Sequence, residues 1–232
     1  MNASNSVWSA LADIIIRPGR AIAAQDQHTG WLWVPLLLLL FSMIAVWGYY
    51  FTWVDYEWYL ADYLSNIELD EAQRDATVSM MSPTFSITVT SIMVTVMTLI
   101  MFLIYALYLN LVARSGGEEV RGFGNWFSLS VWTAFPGVLG VIALFIFLAT
   151  SSTNQVSQFD MDFMSLNGLL DLDPKHPFAS LASAISIFHV WSIALVGYAW
   201  SMLRNSSMAN GVIVAAIPYV VIFGIWALFT AI

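Results

Sequence analysis

The stretch Phe178-Ala-Ser-Leu-Ala-Ser-Ala-Ile-Ser-Ile-Phe-His-Val-Trp-Ser-Ile-Ala-Leu-Val-Gly-Tyr-Ala-Trp-Ser-Met-Leu203 decides the fold. At about 1.5 Å of rise per residue, a helix this long exceeds the roughly 30 Å of a bilayer's hydrocarbon core, so the run is expected to cross a membrane. It also carries an ionisable side chain, His189, well away from both ends. Four comparable apolar runs surround it. Hydrophobic residues make up 59% of the 232-residue chain and charged residues only 9%, with a mean hydropathy of +0.77. Soluble domains carry about a quarter of their residues charged. The chain therefore reads as an all-α integral membrane protein with five transmembrane helices, over about 31–54, 85–113, 123–149, 178–203 and 211–232. An interfacial amphipathic helix precedes them, so residues 1–30 form a cytoplasmic or interfacial segment and 31–232 a single transmembrane domain.

The N-terminal segment lacks the basic leader and cleavage site of a secretory signal and is expected to be retained. Val7, Trp8, Leu11, Ile14 and Ile15 recur at helical spacing up to the break at Arg17-Pro18-Gly19. Such a helix either lies in the interface, with Trp8 at headgroup depth and Arg17 and Arg20 near anionic lipid, or packs beneath the bundle. At the far end of the first span, Trp47, Tyr49, Tyr50, Trp53, Tyr56 and Trp58 form an aromatic belt. The loop that follows is acidic, with Asp62, Glu68, Asp70, Glu71 and Asp75 against Arg74, and Tyr59, Leu60, Tyr63, Leu64 and Ile67 keep helical spacing within it. The second span carries Thr88, Ser91, Thr95 and Thr98 on one face, hydroxyls that bond to their own backbone or to a neighbouring helix. A polar hinge, Arg114 to Arg121 with Glu118 and Glu119, leads to the third span, which Pro136 and Gly137 should kink.

Basic residues sort by side: Arg17, Arg20, Arg114, Arg121 and Arg204 on one, Arg74 and Lys175 on the other. The positive-inside rule makes the first side cytoplasmic, putting the N-terminus inside and the C-terminus outside.

His189 is the sharpest candidate for function, because ionisable groups at membrane depth face the bundle interior or a wet cavity. With Ser186 and Ser192 it forms a candidate intramembrane polar site, serving either an interhelix hydrogen bond or an ion, proton or ligand. Asp160, Asp162, Asp171, Asp173 and His176 lie in a second acidic loop whose spacing fits no calcium pattern, so a solvated loop is expected. No metal site and no cofactor is expected. The chain has no cysteine, no Gly-x-Ser-x-Gly, no His-Glu-x-x-His and no Walker loop, and no acid inside a span orients His189. These absences argue against an enzyme. No basic patch exists to neutralise phosphates, so nucleic acid is not an expected partner.

Four segments in order, Trp31-Leu-Trp-Val-Pro35, Gly116-Gly117, Val131-Trp-Thr-Ala-Phe-Pro136-Gly-Val-Leu-Gly140, and Pro177-Phe-Ala-Ser-Leu with Ile187-Phe-His-Val-Trp191-Ser, make the chain resemble the Yip (Ypt-interacting protein) domain family. The resemblance covers most of the chain and looks like a prokaryotic-type member. It implies a five-helix bundle with a cytoplasmic N-terminus. Eukaryotic members of the family act in membrane traffic and bind prenylated small GTPases through their cytoplasmic part. Here that part is only about thirty residues, so GTPase docking is not expected. The partners expected are the lipid bilayer and a second copy or another membrane protein, in a bacterial inner membrane. Ala179 with Ser183 and Gly197 with Ser201 would permit close helix approach. The competing expectation is a small transporter or channel subunit built on the polar site at His189.

Overall fold

The computed structural model describes every residue except Met1, Glu68, Glu118, Glu119 and Ile232. The acidic-loop position Glu68, the hinge pair Glu118-Glu119 and the last residue of the fifth expected span lie outside the described residues. Among those described, the fold is all helical, with one isolated antiparallel bridge between Ser165 and Ser186.

Ser6 starts α1 (Val7–Ile16) with a reciprocal cap on Ser9, and Pro18 opens α2 (Pro18–Gln27) in the first turn, where a missing N–H costs the helix no internal bond. A short 3-10 turn, Thr29–Leu32, feeds α3 (Trp33–Trp53). Two surface helices follow, α4 (Tyr56–Ser65), capped by Asp55, and α5 (Glu71–Met80), capped by Asp70 with Gln73 answering. Then come α6 (Pro83–Ser115), α7 (Phe123–Ala134) and α8 (Val138–Thr150). The second acidic loop holds α9 (Leu166–Leu170) and α10 (Ala179–Ala184), and the chain ends with α11 (Ile187–Arg204) and α12 (Met208–Thr230).

Among the described residues, four stretches are long and apolar enough to cross a membrane: Thr29–Trp53, Pro83–Ser115, Phe123–Thr150 and Met208–Thr230. The 33 residues of α6 extend to about 50 Å, more than a bilayer core requires without tilt. The expected span 178–203 differs. It is two helices, broken where Ile185 and Ser186 turn extended, and only the 18-residue α11 crosses the bundle, as the antiparallel partner of α12. The break is stable because its backbone finds partners: Leu166 N–H donates to the Ile185 carbonyl at 2.7 Å and Ile187 N–H to the Met164 carbonyl at 3.1 Å.

Pro136 sits in a buried 3-10 turn, Phe135–Gly137, that joins α7 to α8. The carbonyl its ring would strand, that of Trp132, accepts the Phe135 N–H instead.

Two cores divide the bundle. On the basic face, α1 and α2 insert Ala10, Ile14 and Ile22 among Leu109, Trp126, Trp132, Val196 and Trp200, so the N-terminal hairpin shares the bundle's own core. On the acidic face, Tyr50, Phe51, Tyr59, Leu148 and Met161 pack together. Tyr50, expected in an interfacial belt, is wholly buried because its hydroxyl reaches the Val156 carbonyl at 2.8 Å, across the second acidic loop.

Candidate functional site: a polar seam between α6, α11 and α12

The break at Ser186 changes what His189 is. Instead of mid-helix, it stands at the third position of α11, where its Nδ1 accepts the Ser186 N–H at 3.0 Å while the Ser186 hydroxyl accepts the Phe188 N–H at 3.3 Å. This is a capping box with imidazole in the role usually taken by Glu or Gln. An accepting Nδ1 fixes the tautomer with its proton on Nε2. The ring lies against Tyr219 and Phe223 of α12, with centroids 5.4 and 5.7 Å away. Ser192, one turn along α11, is buried with its hydroxyl beside the Tyr219 phenol.

From Tyr219 the seam continues to α6. Tyr219 packs on Tyr105 at 5.6 Å, and Tyr105 and Tyr108 donate their hydroxyls to the Ala215 and Val214 carbonyls of α12, each at 2.9 Å. Val214 lies four residues before Pro218, so its carbonyl is the one that proline deprives of a helical partner. A tyrosine on the neighbouring helix supplies the missing donor, which is what a kinked helix in lipid needs. Tyr105 and Tyr108 were not singled out in the sequence. Their signal is a pair of phenols three residues apart within a span, in a chain whose last span contains proline.

Gly197 and Gly211 place α11 and α12 for this arrangement. A Cβ on Gly211 would overlap the Gly197 carbonyl, and one on Gly197 would meet Val212 backbone at 2.9 Å. The close approach that Gly197 permits is thus used within the chain.

The expected hydroxyl stripe on α6 is used piecemeal: Thr88 bonds back to Thr84 at 2.8 Å, and Thr98 faces the Met43 sulfur at 4.0 Å. Among the described residues, the Gln25 amide and the indole N–H groups of Trp126 and Trp132 are buried without a hydrogen-bond partner. Nothing in the sequence pattern of residues 1–30 marks Gln25 as buried.

On the acidic face several carboxylates join loops. Asp55 accepts the Gln155 amide at 3.0 Å, and Asp62 accepts the Ser157 hydroxyl at 2.8 Å. The Gln155 bond, helped by the Trp58 N–H, lowers the Asp55 pKa, whereas burial raises that of Asp162 despite the nearby Ser183 hydroxyl. Asp173 and His176 are occupied in local turns, accepting the Lys175 and Phe178 N–H groups. No cluster of His, Asp and Glu suited to a metal occurs among the described residues.

On the basic face, Arg121 clasps Asp26 with bonds of 2.8 and 3.0 Å and also reaches the Leu203 carbonyl at the end of α11. Arg204 donates to the Ala113 carbonyl at the end of α6. Both cations meet the negative end of a helix dipole.

A family model described as the Yip1 domain matches residues 12–229. No curated protein and no solved structure matches the chain.

Proposed function

The chain belongs to the Yip1 domain family, and from that premise we propose a non-enzymatic membrane protein that works by associating with other membrane proteins or lipid, in membrane organisation or a trafficking-like role. On this reading the basic face is cytosolic, in a bacterial inner membrane. The observation that carries it is the outward face of α6, where Met93, Met97 and Met101 recur every fourth residue, each 41–57% exposed, beside exposed Ile92, Val96, Ile100 and Ile104. Methionine is flexible and polarizable, and a stripe of it suits a helical surface that must fit a partner. The test uses the natural absence of cysteine. Met97→Cys, oxidised in native membranes, is expected to yield a crosslinked dimer or one defined adduct, while Val220→Cys on α12, at another exposed position, does not. A protein that stays monomeric at both positions, and moves a solute in liposomes, would overturn the reading.

A second reading, a small transporter or channel subunit, has the continuity of His189, Ser192, Tyr219 and Tyr105 in its favour. It predicts a pH-dependent flux abolished in His189→Ala. The occupation of His189 Nδ1 in capping α11 favours the first reading, since one of the two ring nitrogens is already spent.

A further inference from the structure

The N-terminal hairpin has a feature that packing leaves unused. A cavity of about 500 Å³ opens on the basic face between the α1–α2 corner and α11, lined by Arg17, Arg20, Asn2 and Tyr198. Four of the five arginines on this face are engaged: Arg20 with Asp13 at 3.6 Å, Arg114 with Asn110, Arg121 with Asp26, and Arg204 with the Ala113 carbonyl. Arg17 is exposed and makes no ion pair or side-chain hydrogen bond among the described residues. Arg20 meets Asp13 through Nε at 3.6 Å, beyond a good hydrogen bond, and lines the cavity beside Arg17. Two guanidinium groups against one carboxylate give the corner a net positive charge.

The second observation is apolar. α1 buries Ala10 and Ile14 in the core but turns Trp8, Ala12 and Ile16 outward at four-residue spacing, with Trp8 67% and Ile16 72% exposed. This outer stripe ends directly at Arg17. An exposed tryptophan and isoleucine leading to an unpaired arginine at the rim of a cavity fit one kind of ligand, a phosphate anion attached to an acyl chain.

We propose that this cavity binds the headgroup phosphate of an anionic phospholipid, with Arg17 as its principal contact, Arg20 in support, and the acyl chains lying along Trp8 and Ile16. The proposal deepens the association reading by naming lipid as one associate of the basic face. The phosphate chemistry alone is shared with soluble anions; the apolar stripe is what selects the lipid.

The test is thermal unfolding of the purified full chain in mild detergent, titrated with phosphatidylglycerol, phosphatidylcholine or inorganic phosphate. Phosphatidylglycerol is expected to raise the melting temperature at concentrations about tenfold below those at which phosphatidylcholine acts. Arg17→Gln removes that preference, a loss in line with one charge-assisted contact. Arg74→Gln, which makes the same change of net charge in the acidic loop, retains it. Because Arg17 is exposed, its variant folds normally. Equal response to both lipids in the wild type, a preference that survives Arg17→Gln, or a stabilisation that inorganic phosphate reproduces in full would each overturn the proposal. The Met97→Cys crosslink is read separately, so a failure here leaves the association reading to its own test.

Discussion

Pro136 and Pro218 pose the same problem and receive different answers. Each stands within a membrane-crossing stretch and strands the carbonyl four residues before it. At Pro136 the chain resolves this locally: the helix tightens to a 3-10 turn and Phe135 N–H takes the Trp132 carbonyl. At Pro218 the backbone stays helical, and Tyr108 of α6 donates to the Val214 carbonyl. A break repaired within its own helix draws no hydrogen bond from a neighbour. A break repaired by another helix makes two helices mutually dependent, and so ties the packing of α12 to α6.

The widest separation between the two prolines should come from displacing α12. Gly211→Val puts a branched side chain into the Gly197 backbone, which has nowhere to move, and over-packing of this severity costs about 3 kcal/mol or more. The expected result is loss of monodisperse protein in mild detergent. Normal yield and melting temperature would mean that α12 is not held by this crossing, and the interdependence would fail with it.

Next in size are the phenols. Tyr108→Phe leaves the Val214 carbonyl without a donor, at about 1–3 kcal/mol, whereas Tyr105→Phe removes a second bond from the Ala215 carbonyl, which the Tyr219 N–H still serves within the helix, at about 0.5–1.5 kcal/mol. Pro218→Ala restores the N–H at position 218, so the cost of Tyr108→Phe should fall in that background while that of Tyr105→Phe changes little. A double-mutant cycle by denaturant unfolding measures the difference. Additive costs in both backgrounds would show that Tyr108 does not serve the proline.

Asp162 offers a smaller contrast, a half-buried group for which the Ser183 hydroxyl does not offset burial. Its pKa is raised in the fold, so the charged form weakens the folded state above that value. Stability relative to Asp162→Asn should therefore rise as pH falls through the raised pKa. Asp55 has the opposite sign: its lowered pKa contributes stability above the ordinary carboxylate range, lost as pH falls through the lowered value. Melting temperatures of the two asparagine variants against wild type between pH 3 and 7 should diverge in opposite directions.

Hydropathy was enough to find the four stretches long and apolar enough to cross a membrane, because burial in lipid demands long apolar runs whatever the helices touch, but it also counted 178–203 as an unbroken fifth. The Ser186 break was not legible, since Ile185 and Ser186 are ordinary helical residues and what holds them extended is the pairing with Met164 and Leu166, some twenty residues away. That pairing moves His189 from the middle of one long expected helix to the third position of α11, where it caps the Ser186 N–H. Helix α5 does carry a signal in the sequence: Asp70 followed three residues later by Gln73 is a capping pair. Pro136 was legible as a kink, but whether its carbonyl would be met locally or by a neighbour was not, because the answer depends on whether the turn tightens.

Pro136→Ala supplies the smallest effect and the most exacting test. In an ordinary helix interior, proline costs about 3 kcal/mol relative to alanine, so its removal would normally stabilise strongly. Here the turn already gives the Trp132 carbonyl a donor, and the turn is packed, with Phe135 and Pro136 buried and Gly140 of the following helix against the Phe188 ring. Straightening the helix would gain one bond and lose that contact. The change in unfolding free energy should therefore stay within about 1 kcal/mol, far short of the generic gain. A stabilisation near the full value would mean that the tight turn is imposed by the proline alone, that the local repair is incomplete, and that the two prolines differ less than their geometry indicates.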